Sequence, residues 1–447
     1  MTYKEAREIL LKSFRENEKL YESKLSDIEK HRKGEKKLRF VDSDGKPIKN
    51  KKIKLTQKSH DFKYGANIFL LDEFKTEEEN RIYRDTFHRY FNLATIPFYW
   101  AELEPREGEI RFDKNSPKIY RRPAPDLCLE YCNEKGVTPK LHCLYYDKFT
   151  PDWLPRGDRE RMTYLYDKRF REIAERYAGK LWEYEVTNEM LEIGGQDWQK
   201  KKCILTDDPD IMDICYKKAR EYFGKDATLV INEGNKIPSI AKSGYMSPVM
   251  LEYRGLLDRG VDIDKIGMQH HAFLGCGGDQ LKEVEWNADM FNAEYIDKGL
   301  KLLASLGKPL EITEITIPSV GADAEGEECQ AELLKYLYTY FFACPQMESA
   351  VYWNTVDDMC YVSAENSAWN ENNCHAGLFH RDLTPKPAAL MLKKLFSEVW
   401  HTDLECLTDA SGEVTFRGFF GDYTVTVDGK EYTVFHHKGD GDIAITV

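Results

Sequence analysis

The sequence predicts an α/β fold, namely a (β/α)8 barrel with a small accessory β-module formed from the N- and C-terminal segments. Three observations support this prediction. Apolar segments recur eight times between helical stretches, both ends of the chain have alternating β patterns, and polar residues follow several of the eight segments. Near-continuous apolar strands that alternate with helices are typical of a parallel sheet, and eight such units close into a barrel.

The two ends of the chain have different patterns from the middle. The N-terminus has the apolar spacing of one or two charged amphipathic helices. Alternating strands follow around an Asp44-Gly45 turn, and the C-terminus has its own hairpin at Asp428-Gly429. Each end is too small to close a β-sandwich alone, so the two are expected to pair. The predicted division is a helical segment at 1–35, a β-module at 36–60 and 400–447, and the barrel at 61–399.

Polar residues follow four of the expected barrel strands. The eight strands are expected at 62–68, 92–97, 138–144, 181–187, 228–231, 266–270, 310–315 and 350–354. His142 lies at the end of the third, Glu189 follows the fourth, His271 follows the sixth, and Glu314 lies at the end of the seventh. Because the carboxyl ends of barrel strands form the face that carries the active site, we expect these four residues to share one site.

The two glutamates suggest the chemistry. Carboxylates at strand ends are poorly placed for core packing and suit hydrolysis of a glycosidic bond, in which one protonates the leaving oxygen and the other attacks the anomeric carbon. We expect Glu189 to be the general acid and then the base, with a pKa raised by apolar walls and by the second carboxylate. Glu314 is expected to stay ionised as the nucleophile. If both enter one cleft about 5–5.5 Å apart, the sugar's configuration is retained.

Composition excludes some classes of function. The 447 residues carry a net charge of −13 with a pI near 5.5, whereas a nucleic-acid-binding domain is expected to be basic. The charge favours a substrate that is neutral or has no strong negative charge. P-loop and G-x-S-x-G motifs are missing from the sequence. The expected partner is therefore a carbohydrate, and neither a cofactor nor a metal is expected.

Cysteines and hydropathy indicate a compartment. The eleven cysteines are odd in number and have no C-x-x-C spacing, which favours reduced thiols over a disulfide framework or a zinc site. The N-terminus has charges where a signal peptide has its apolar region, and no run of about 18 apolar residues occurs. We therefore expect no membrane span and a cytoplasmic location, with a removed signal left open. The oligomeric state is not predicted.

Patches between residues 60 and 390 resemble, in order, the motifs of glycoside hydrolase family 10, the xylanase family of clan A. The matching patches are W-A-E-L-E-P-R-E-G-E-I-R-F-D (100–113), K-L-H-C-L (140–144), P-D-W (151–153), V-T-N-E (186–189), I-N-E-G-N (231–235), G-M-Q-H-H (267–271), I-T-E-I (312–315), Y-W (352–353), G-L-F (377–379) and K-P-A (386–388). The resemblance implies a retaining, endo-1,4-β-xylanase-like hydrolase with Glu189 as acid/base and Glu314 as nucleophile.

The sequence departs from the family where sugars are recognised. The family's E-N-x-M-K-W reads T-I-P-F-Y-W at 95–100, and the second histidine of its H-T-L-V-W-H is Asp147, preceded by Tyr146. The tyrosine of I-N-D-Y-N is Gly234, and the W-G after the last strand is Trp353-Asn354. These changes weaken xylan as the expected substrate more than they weaken retaining hydrolysis.

Nine residues are candidates for substrate contact. Asn188 is expected to hold the sugar 2-hydroxyl, His271 to donate to Glu314, and Trp353 to form an aromatic floor. His270, adjacent to His271, is expected to point elsewhere because strand residues alternate. The full set is Asn188, His142, His271, Gln269, Trp353, Tyr99, Tyr146, Asp147 and Trp369, the last in a polar loop over the cleft.

Other readings of the sequence stay open. One is an exo-acting or oligosaccharide-specific glycosidase on a sugar other than xylose. Another is a catalytically idle carbohydrate-binding barrel, which would need neither both glutamates nor the residues around them. A barrel that uses its carboxylates to bind a metal would need additional clustered ligands, which the sequence does not indicate.

Overall fold

The computed structural model describes residues 1–192, 202–234, 236–363 and 369–447. Its strands, in chain order, are β1 Lys33–Val41, β2 Lys52–Gln57, β3 Lys63–Asn67, β4 Leu93–Pro97, β5 Thr138–Tyr145, β6 Glu183–Asn188, β7 Thr228–Glu233, β8 Lys265–His271, β9 Leu310–Thr316, β10 Met347–Tyr352, β11 Asp403–Leu407, β12 Glu413–Phe419, β13 Gly421–Val427, β14 Lys430–His436 and β15 Ile443–Thr446. The helices are α1 Tyr3–Glu16, α2 Glu18–His31, α3 Glu77–Tyr90, α4 Trp100–Leu103, α5 Pro125–Lys135, α6 Arg159–Tyr177, α7 Ile211–Phe223, α8 Ile237–Ser243, α9 Pro248–Asp258, α10 Gln280–Asn287, α11 Ala293–Ala304, α12 Ala324–Ala343 and α13 Pro387–Lys394.

Strands β3 to β10 close into a barrel in which every neighbouring pair is parallel. Strand β10 closes the ring by pairing with both β3 and β9. Strands β8 and β9 are buried at every position, as the near-continuous apolar pattern predicts for a sheet covered on both faces. The predicted (β/α)8 barrel is confirmed.

The helices begin and end at residues suited to those positions. Thr2 and Glu5 form a reciprocal capping box at the start of α1, and Asp158 caps α6 by accepting from the backbone of Arg161. Helix α5 ends at Gly136, whose φ of 67° lies in the left-handed region that favours glycine. These caps set the start of α1 before the barrel and the bounds of α5 and α6 between barrel strands.

Strands from the two ends of the chain form two additional sheets. Strand β1 lies between β12 and β15, and β2 lies between β11 and β13, with β14 at the edge. Their alternating residues pack into a small core of their own, which includes Leu38, Phe40, Ile53, Leu55 and Val425. The accessory β-module built from both ends is thus confirmed. Its division from the rest of the chain at residues 35, 60 and 400 stays a prediction, and β1 already begins at Lys33.

The N-terminal helices pack against α12. The ring of Phe14 stacks on the ring of Tyr336 with centroids 4.7 Å apart, and Arg7 pairs with Asp323 and Glu325 at the start of α12. In the described part of the chain, no helix has both the length and the apolar character needed to cross a lipid bilayer.

Candidate active site

A cleft opens at the carboxyl ends of the barrel strands. Both Glu189 and Glu314 line it. Eight of the nine predicted substrate-contact residues also line it, namely Tyr99, His142, Tyr146, Asn188, Gln269, His271, Trp353 and Trp369. Residues separated by up to 270 positions in the chain therefore meet at one face, as the barrel topology requires.

Gln269 lies between the two carboxylates. Its Nε2 donates to Glu189 Oε1 over 2.8 Å and to Glu314 Oε1 over 3.0 Å. The two carboxylate oxygens can therefore be no farther apart than the sum of these two distances. Gly267, two residues earlier on β8, permits this placement, because a Cβ there would lie only 2.7 Å from Ile231 O and from Thr313 Cγ2. Close contact of β8 with its neighbours thus sets the position of the bridging amide.

Glu189 follows β6 in an unusual backbone conformation. Its φ of 54° lies in the left-handed region, which is uncommon for a residue with a side chain and is found preferentially at functional sites. Its N–H donates to Asn232 O over 2.9 Å, which fixes the turn. The Tyr146 hydroxyl donates to Glu189 Oε2 over 2.7 Å. The half-buried carboxylate thus has donors on both oxygens.

Glu314 is more deeply buried and has three donors. Its Oε1 accepts from Asn232 Nδ2 over 2.9 Å and from Gln269, and its Oε2 lies 3.1 Å from His271 Nε2. Burial raises the pKa of Glu314 to about 8, although the neighbouring His142 acts in the opposite direction. Burial thus acts against the expectation that Glu314 stays ionised at neutral pH, which stays a prediction. The physical reason is the loss of water around a side chain that is only 4% exposed.

His271 is held between Glu314 and Thr316. Its Nδ1 lies 2.8 Å from Thr316 Oγ1. Burial lowers the pKa of His271 to about 4, so one ring nitrogen carries a proton and the other does not. When the Thr316 hydroxyl donates to Nδ1, the ring proton is on Nε2, and the Nε2–H donates to Glu314. The neighbouring His270 packs instead against the rings of Phe291 and Phe341, as strand alternation predicts.

His142 rests on a buried charge cluster that the sequence did not indicate. Its Nδ1 contacts Glu185 and its Nε2 lies 3.0 Å from the Tyr99 hydroxyl. Below it, Lys140 Nζ lies 2.5 Å from Glu185 Oε1 and 2.7 Å from Glu311 Oε2 inside the barrel. Although burial acts in the opposite direction, these cations lower the pKa of Glu185 to about 2, and Glu185 in turn raises the pKa of His142. The carboxylate of Glu185 therefore favours the protonated form of His142, which lies beside Glu314.

Asn188 and Asn232 form a hydrogen-bonded chain. Asn188 Oδ1 accepts from Asn232 Nδ2 over 2.8 Å, and Asn232 Oδ1 accepts from Thr313 Oγ1 over 2.6 Å. Sequence reasoning singled out Asn188 but missed Asn232 as a site residue. Asn235, quoted in the same motif, lies outside the described residues.

Aromatic rings form two walls of the cleft. The Trp353 ring lies 5.2 Å from the Phe69 ring and 5.4 Å from the His142 ring, measured between centroids. Trp369 packs edge-on against Phe273 at 5.4 Å. Both tryptophans thus line the cleft, while the neighbouring loop residues 364–368 lie outside the described part of the chain.

Asp147 does not face the cleft, so its predicted sugar contact is wrong. The carboxylate is buried and accepts from the Tyr166 hydroxyl over 3.1 Å, from the Cys203 N–H over 3.1 Å and from the Thr206 hydroxyl. Asp147 begins a 3₁₀ turn that directs its side chain behind β5 instead of over it. Sequence spacing located the strand end but not the direction of the following turn.

One cluster could be considered for a metal ion. Among the described residues, His142, Glu185 and Glu314 have ligand atoms within 4.8 Å of one another. However, both ring nitrogens of His142 already contact Glu185 and Tyr99, and its raised pKa favours the imidazolium, which has no lone pair for a metal. The cluster does not fit a metal site.

Among the cleft-lining residues that sequence reasoning missed, three are charged residues with named partners, Arg121, Arg122 and Glu371. Glu371 Oε2 accepts from Asn354 Nδ2 over 3.0 Å. All three lie in long loops, where hydrophobic periodicity gives no signal. The sequence gives one indication of these residues, namely that two arginines, Arg121 and Arg122, are adjacent.

Comparisons with known proteins agree with this architecture. The sequence model of glycosyl hydrolase family 10 matches residues 59–394. The anti-sigma-I factor RsgI6 of Acetivibrio thermocellus is 26% identical over 428 residues, which cover 94% of this chain and 49% of that protein. Endo-1,4-beta-xylanase 1 of Arabidopsis thaliana is 22% identical over 409 residues, covering 89% of this chain and 37% of that protein. The chain thus spans about half or less of the length of these two relatives.

A solved structure shows the same fold. Xylanase 10B from Thermotoga maritima superimposes with a TM-score of 0.57 and 20% sequence identity, over 76% of this chain and 96% of that one. At this identity the likeness shows the fold alone. The family match covers most of the chain and confirms the resemblance seen in the sequence. This chain belongs to glycosyl hydrolase family 10.

Proposed function

We propose that the protein is a retaining β-glycoside hydrolase that cleaves β-linked oligo- or polysaccharides by double displacement. Glu189 is the acid/base and Glu314 is the nucleophile. The observation that carries this proposal is the single amide of Gln269 between the two carboxylates. The resulting upper bound on their separation is close to the about 5–5.5 Å of retaining enzymes and below the about 6.5–9.5 Å that inverting enzymes need for a water.

The first step forms a covalent intermediate. A Glu314 carboxylate oxygen attacks the anomeric carbon, the glycosidic C–O bond breaks, and the protonated Glu189 gives its proton to the leaving oxygen. In the second step a water attacks the same carbon, Glu189 takes a proton from that water, and the ester bond to Glu314 breaks. Both carboxyl groups return to their starting states, and two inversions retain the configuration.

Ionisation of Glu314 is the demanding part of this mechanism. Burial favours the protonated acid, whereas attack requires the carboxylate. His142, whose protonated form is favoured by Glu185, acts against the burial. Asn232, Gln269 and His271 supply hydrogen bonds that favour a carboxylate once it forms. We infer that this donor set, rather than solvent, stabilises the nucleophile.

Two features bear on the substrate. Relatives named as endo-1,4-beta-xylanases support a β-1,4-linked xylose backbone. Against this, Tyr99 occupies the wall where the family motif has lysine, and its hydroxyl lies 3.0 Å from His142 Nε2 instead of pointing freely into the cleft. An oligosaccharide or an exo-acting mode on another β-linked sugar is therefore the alternative within the same chemistry.

A barrel that binds carbohydrates without cleaving them is the second candidate. Two observations favour it. A relative that aligns with 94% of this chain is named as an anti-sigma-I factor and not as a xylanase. In addition, a carboxyl with a pKa of about 8 is mostly protonated at neutral pH and is then a weak nucleophile.

A panel of 4-nitrophenyl β-glycosides and short β-1,4-linked oligosaccharides tests the proposal. We expect turnover of at least one member, with the β anomer of the product appearing first in the NMR spectrum. Glu314→Gln should be inactive on the same substrate, and Glu189→Gln should lose most steady-state turnover because hydrolysis of the intermediate lacks its base. Binding of an oligosaccharide without turnover would favour the idle barrel, and a first product of α configuration would rule out double displacement.

A further inference from the structure

We propose that Arg121 and Arg122 form a carboxylate-binding wall of the cleft, so that the preferred substrate is a β-glycoside carrying a uronic acid. This inference rests on the proposed function and narrows its substrate class. Both arginines line the same cleft as Glu189 and Glu314. They lie in the loop between β4 and α5, next to the start of α5 at Pro125.

The two guanidinium groups are unusually poor in partners for their burial. Arg121 is 5% exposed and Arg122 is 8% exposed, and the Nε of each is buried without a hydrogen-bond acceptor. Arg121 Nη1 donates to Met359 O, and Arg122 Nη1 donates to Arg121 O over 3.0 Å. Within the described residues, no carboxylate oxygen lies within 4.0 Å of Arg121, and Arg122 has only Glu102, at 3.5 Å.

Other buried arginines of this chain differ. Arg169 donates to the backbone carbonyls of Leu144, Phe98 and Cys143 over 2.5–3.1 Å. Arg111 likewise donates to three carbonyls over 2.8–3.2 Å. A buried charge is costly unless it is paired or hydrogen-bonded, and these two arginines satisfy that requirement within the protein. Arg121 and Arg122 leave it to a group that enters the cleft.

The carboxylates already in the cleft do not supply that group. Glu189 accepts from Gln269 and Tyr146, Glu314 accepts from Gln269 and Asn232, and Glu371 accepts from Asn354. Each has its own donors. An anionic ligand would therefore supply the carboxylate partner that Arg121 lacks and that Arg122 has only through Glu102, a residue outside the cleft lining.

Geometry favours a planar carboxylate on a sugar. The Arg122 guanidinium lies over the Tyr99 ring at 4.3 Å from its centroid, and the Tyr99 hydroxyl in turn contacts His142. An arginine held over an aromatic ring can still offer its N–H edges to a ligand, and a guanidinium binds a planar carboxylate through two parallel hydrogen bonds. The overall charge of −13 favours a substrate without strong negative charge, but this local pair of cations reverses that expectation for a single carboxylate.

Binding to the full chain carrying Glu314→Gln isolates recognition from turnover. The two probes are a xylo-oligosaccharide with one glucuronic acid branch and the same compound after its carboxyl group has been reduced to a hydroxymethyl group. Titration calorimetry should show the acid binding at least 10-fold more tightly. Adding Arg121→Met or Arg122→Met should bring the dissociation constants of the two probes within twofold of each other. The change should come chiefly from weaker binding of the probe that carries the carboxyl group.

Two further variants keep the test sharp. Arg121→Lys keeps the positive charge but loses the planar guanidinium that can donate two parallel hydrogen bonds. Its preference for the acidic probe should lie between that of the chain with Arg121 and that of Arg121→Met. Arg106→Met removes the same charge from an exposed position in the same loop, and should leave the full preference intact. If Arg106→Met loses the preference for the acidic probe, overall charge explains the effect and the proposed arginine site is overturned.

The remaining outcomes separate this inference from the proposed function. Equal affinity for both probes, or a preference that survives both methionine variants, overturns the arginine site alone. Failure of both probes to bind, while the native chain cleaves neutral aryl β-glycosides, also overturns the arginine site alone. Failure of both probes together with a lack of turnover across the panel overturns the glycosidase function itself.

Discussion

Glu189 and Glu314 share one hydrogen-bond donor, the side-chain amide nitrogen of Gln269, although 125 residues separate them in the chain. This shared donor fixes the distance between the two carboxylates. It also links their ionisation, because an amide that donates to both is most favourable when both are carboxylates. Gln269 is therefore a positioning residue for the proposed acid and nucleophile.

Replacing Gln269 with methionine keeps the shape of the side chain and removes the donor. We expect kcat/KM on an activated aryl β-glycoside to fall about 100-fold, the magnitude typical of losing one preorganised donor. Gln57→Met is the matched control, since Gln57 is also buried and donates to Ser59 O over 2.9 Å in the β-module. It should cost similar stability with kcat/KM unchanged. Equal activity of the two variants would show that the bridge has no role in catalysis.

The pH profile should report the burial of Glu314. The Glu189→Ala variant, assayed on an aryl β-glycoside whose leaving group needs no proton, reports Glu314 alone, because ionisation of Glu189 no longer enters the profile. With a pKa near 8 in the unliganded site, kcat/KM of this variant should rise with pH up to about 8, where an ordinary glutamate would give a rise near 4.5. Adding His142→Gln removes a group that lowers this pKa, so the rise should move to higher pH. Initial rates across pH 4–10 for both variants make the comparison, and a rise near 4.5 in Glu189→Ala would contradict the pKa assigned to Glu314.

The same pKa has a consequence for stability. Because burial holds the folded-state pKa of Glu314 above its usual 4.5, the folded protein binds this proton more tightly than the unfolded chain does. The stabilisation is complete below pH 4.5 and is lost as pH rises to about 8. Glu314→Gln cannot ionise and keeps its stability over that range.

Urea unfolding at two pH values measures this effect. Glu314→Gln should match the native protein at pH 4.5 and exceed it at pH 9 by on the order of 3–5 kcal/mol in free energy of unfolding. An unchanged difference between the two proteins at the two pH values would show that Glu314 is solvated in the folded state.

How much of the fold and of the candidate site could be predicted from the sequence depends on the pattern that each feature leaves in the sequence. Buried parallel strands have apolar runs, so the barrel and the strands that carry Glu189 and Glu314 were predictable. Side-chain direction after a strand depends on the turn that follows, so Asp147 was assigned to the cleft although it faces Tyr166 and Thr206. The raised pKa of Glu314 could not be predicted from the sequence because it depends on burial by distant segments.

Charges inside the barrel gave no sequence signal at all. Lys140, Glu185 and Glu311 lie in apolar runs, where a charged residue usually marks the end of a buried strand. They are tolerated because they neutralise one another over 2.5–2.7 Å. The partners come from three different strands, so no local pattern could reveal the cluster.

Two cysteines lie close together in loops at the cleft. The eleven cysteines carry free thiols in the structure, but the Sγ atoms of Cys276 and Cys374 lie 2.8 Å apart, and both side chains are fully buried. With oxidised glutathione as the oxidant, the two thiols should form one disulfide and release two equivalents of reduced glutathione. A crosslink over about 100 residues should raise the midpoint of thermal unfolding, consistent with roughly 4–5 kcal/mol of stabilisation.

Peptide mapping by mass spectrometry identifies this bond. Cys128→Ser, which removes a buried cysteine from α5, should still form it, and Cys374→Ser should not. Recovery of both thiols unmodified after prolonged oxidation would show that the loops hold the sulfur atoms out of reaction geometry.

The nucleophile can be tested by chemical rescue. Glu314→Ala should lose turnover of an activated aryl β-glycoside, and added azide should restore it by occupying the space left by the carboxylate. The rescued product should be the α-glycosyl azide, since a single displacement inverts the configuration. Unchanged turnover in Glu314→Ala, or a rescued product of β configuration, would contradict the assignment of Glu314 as the group that attacks the sugar.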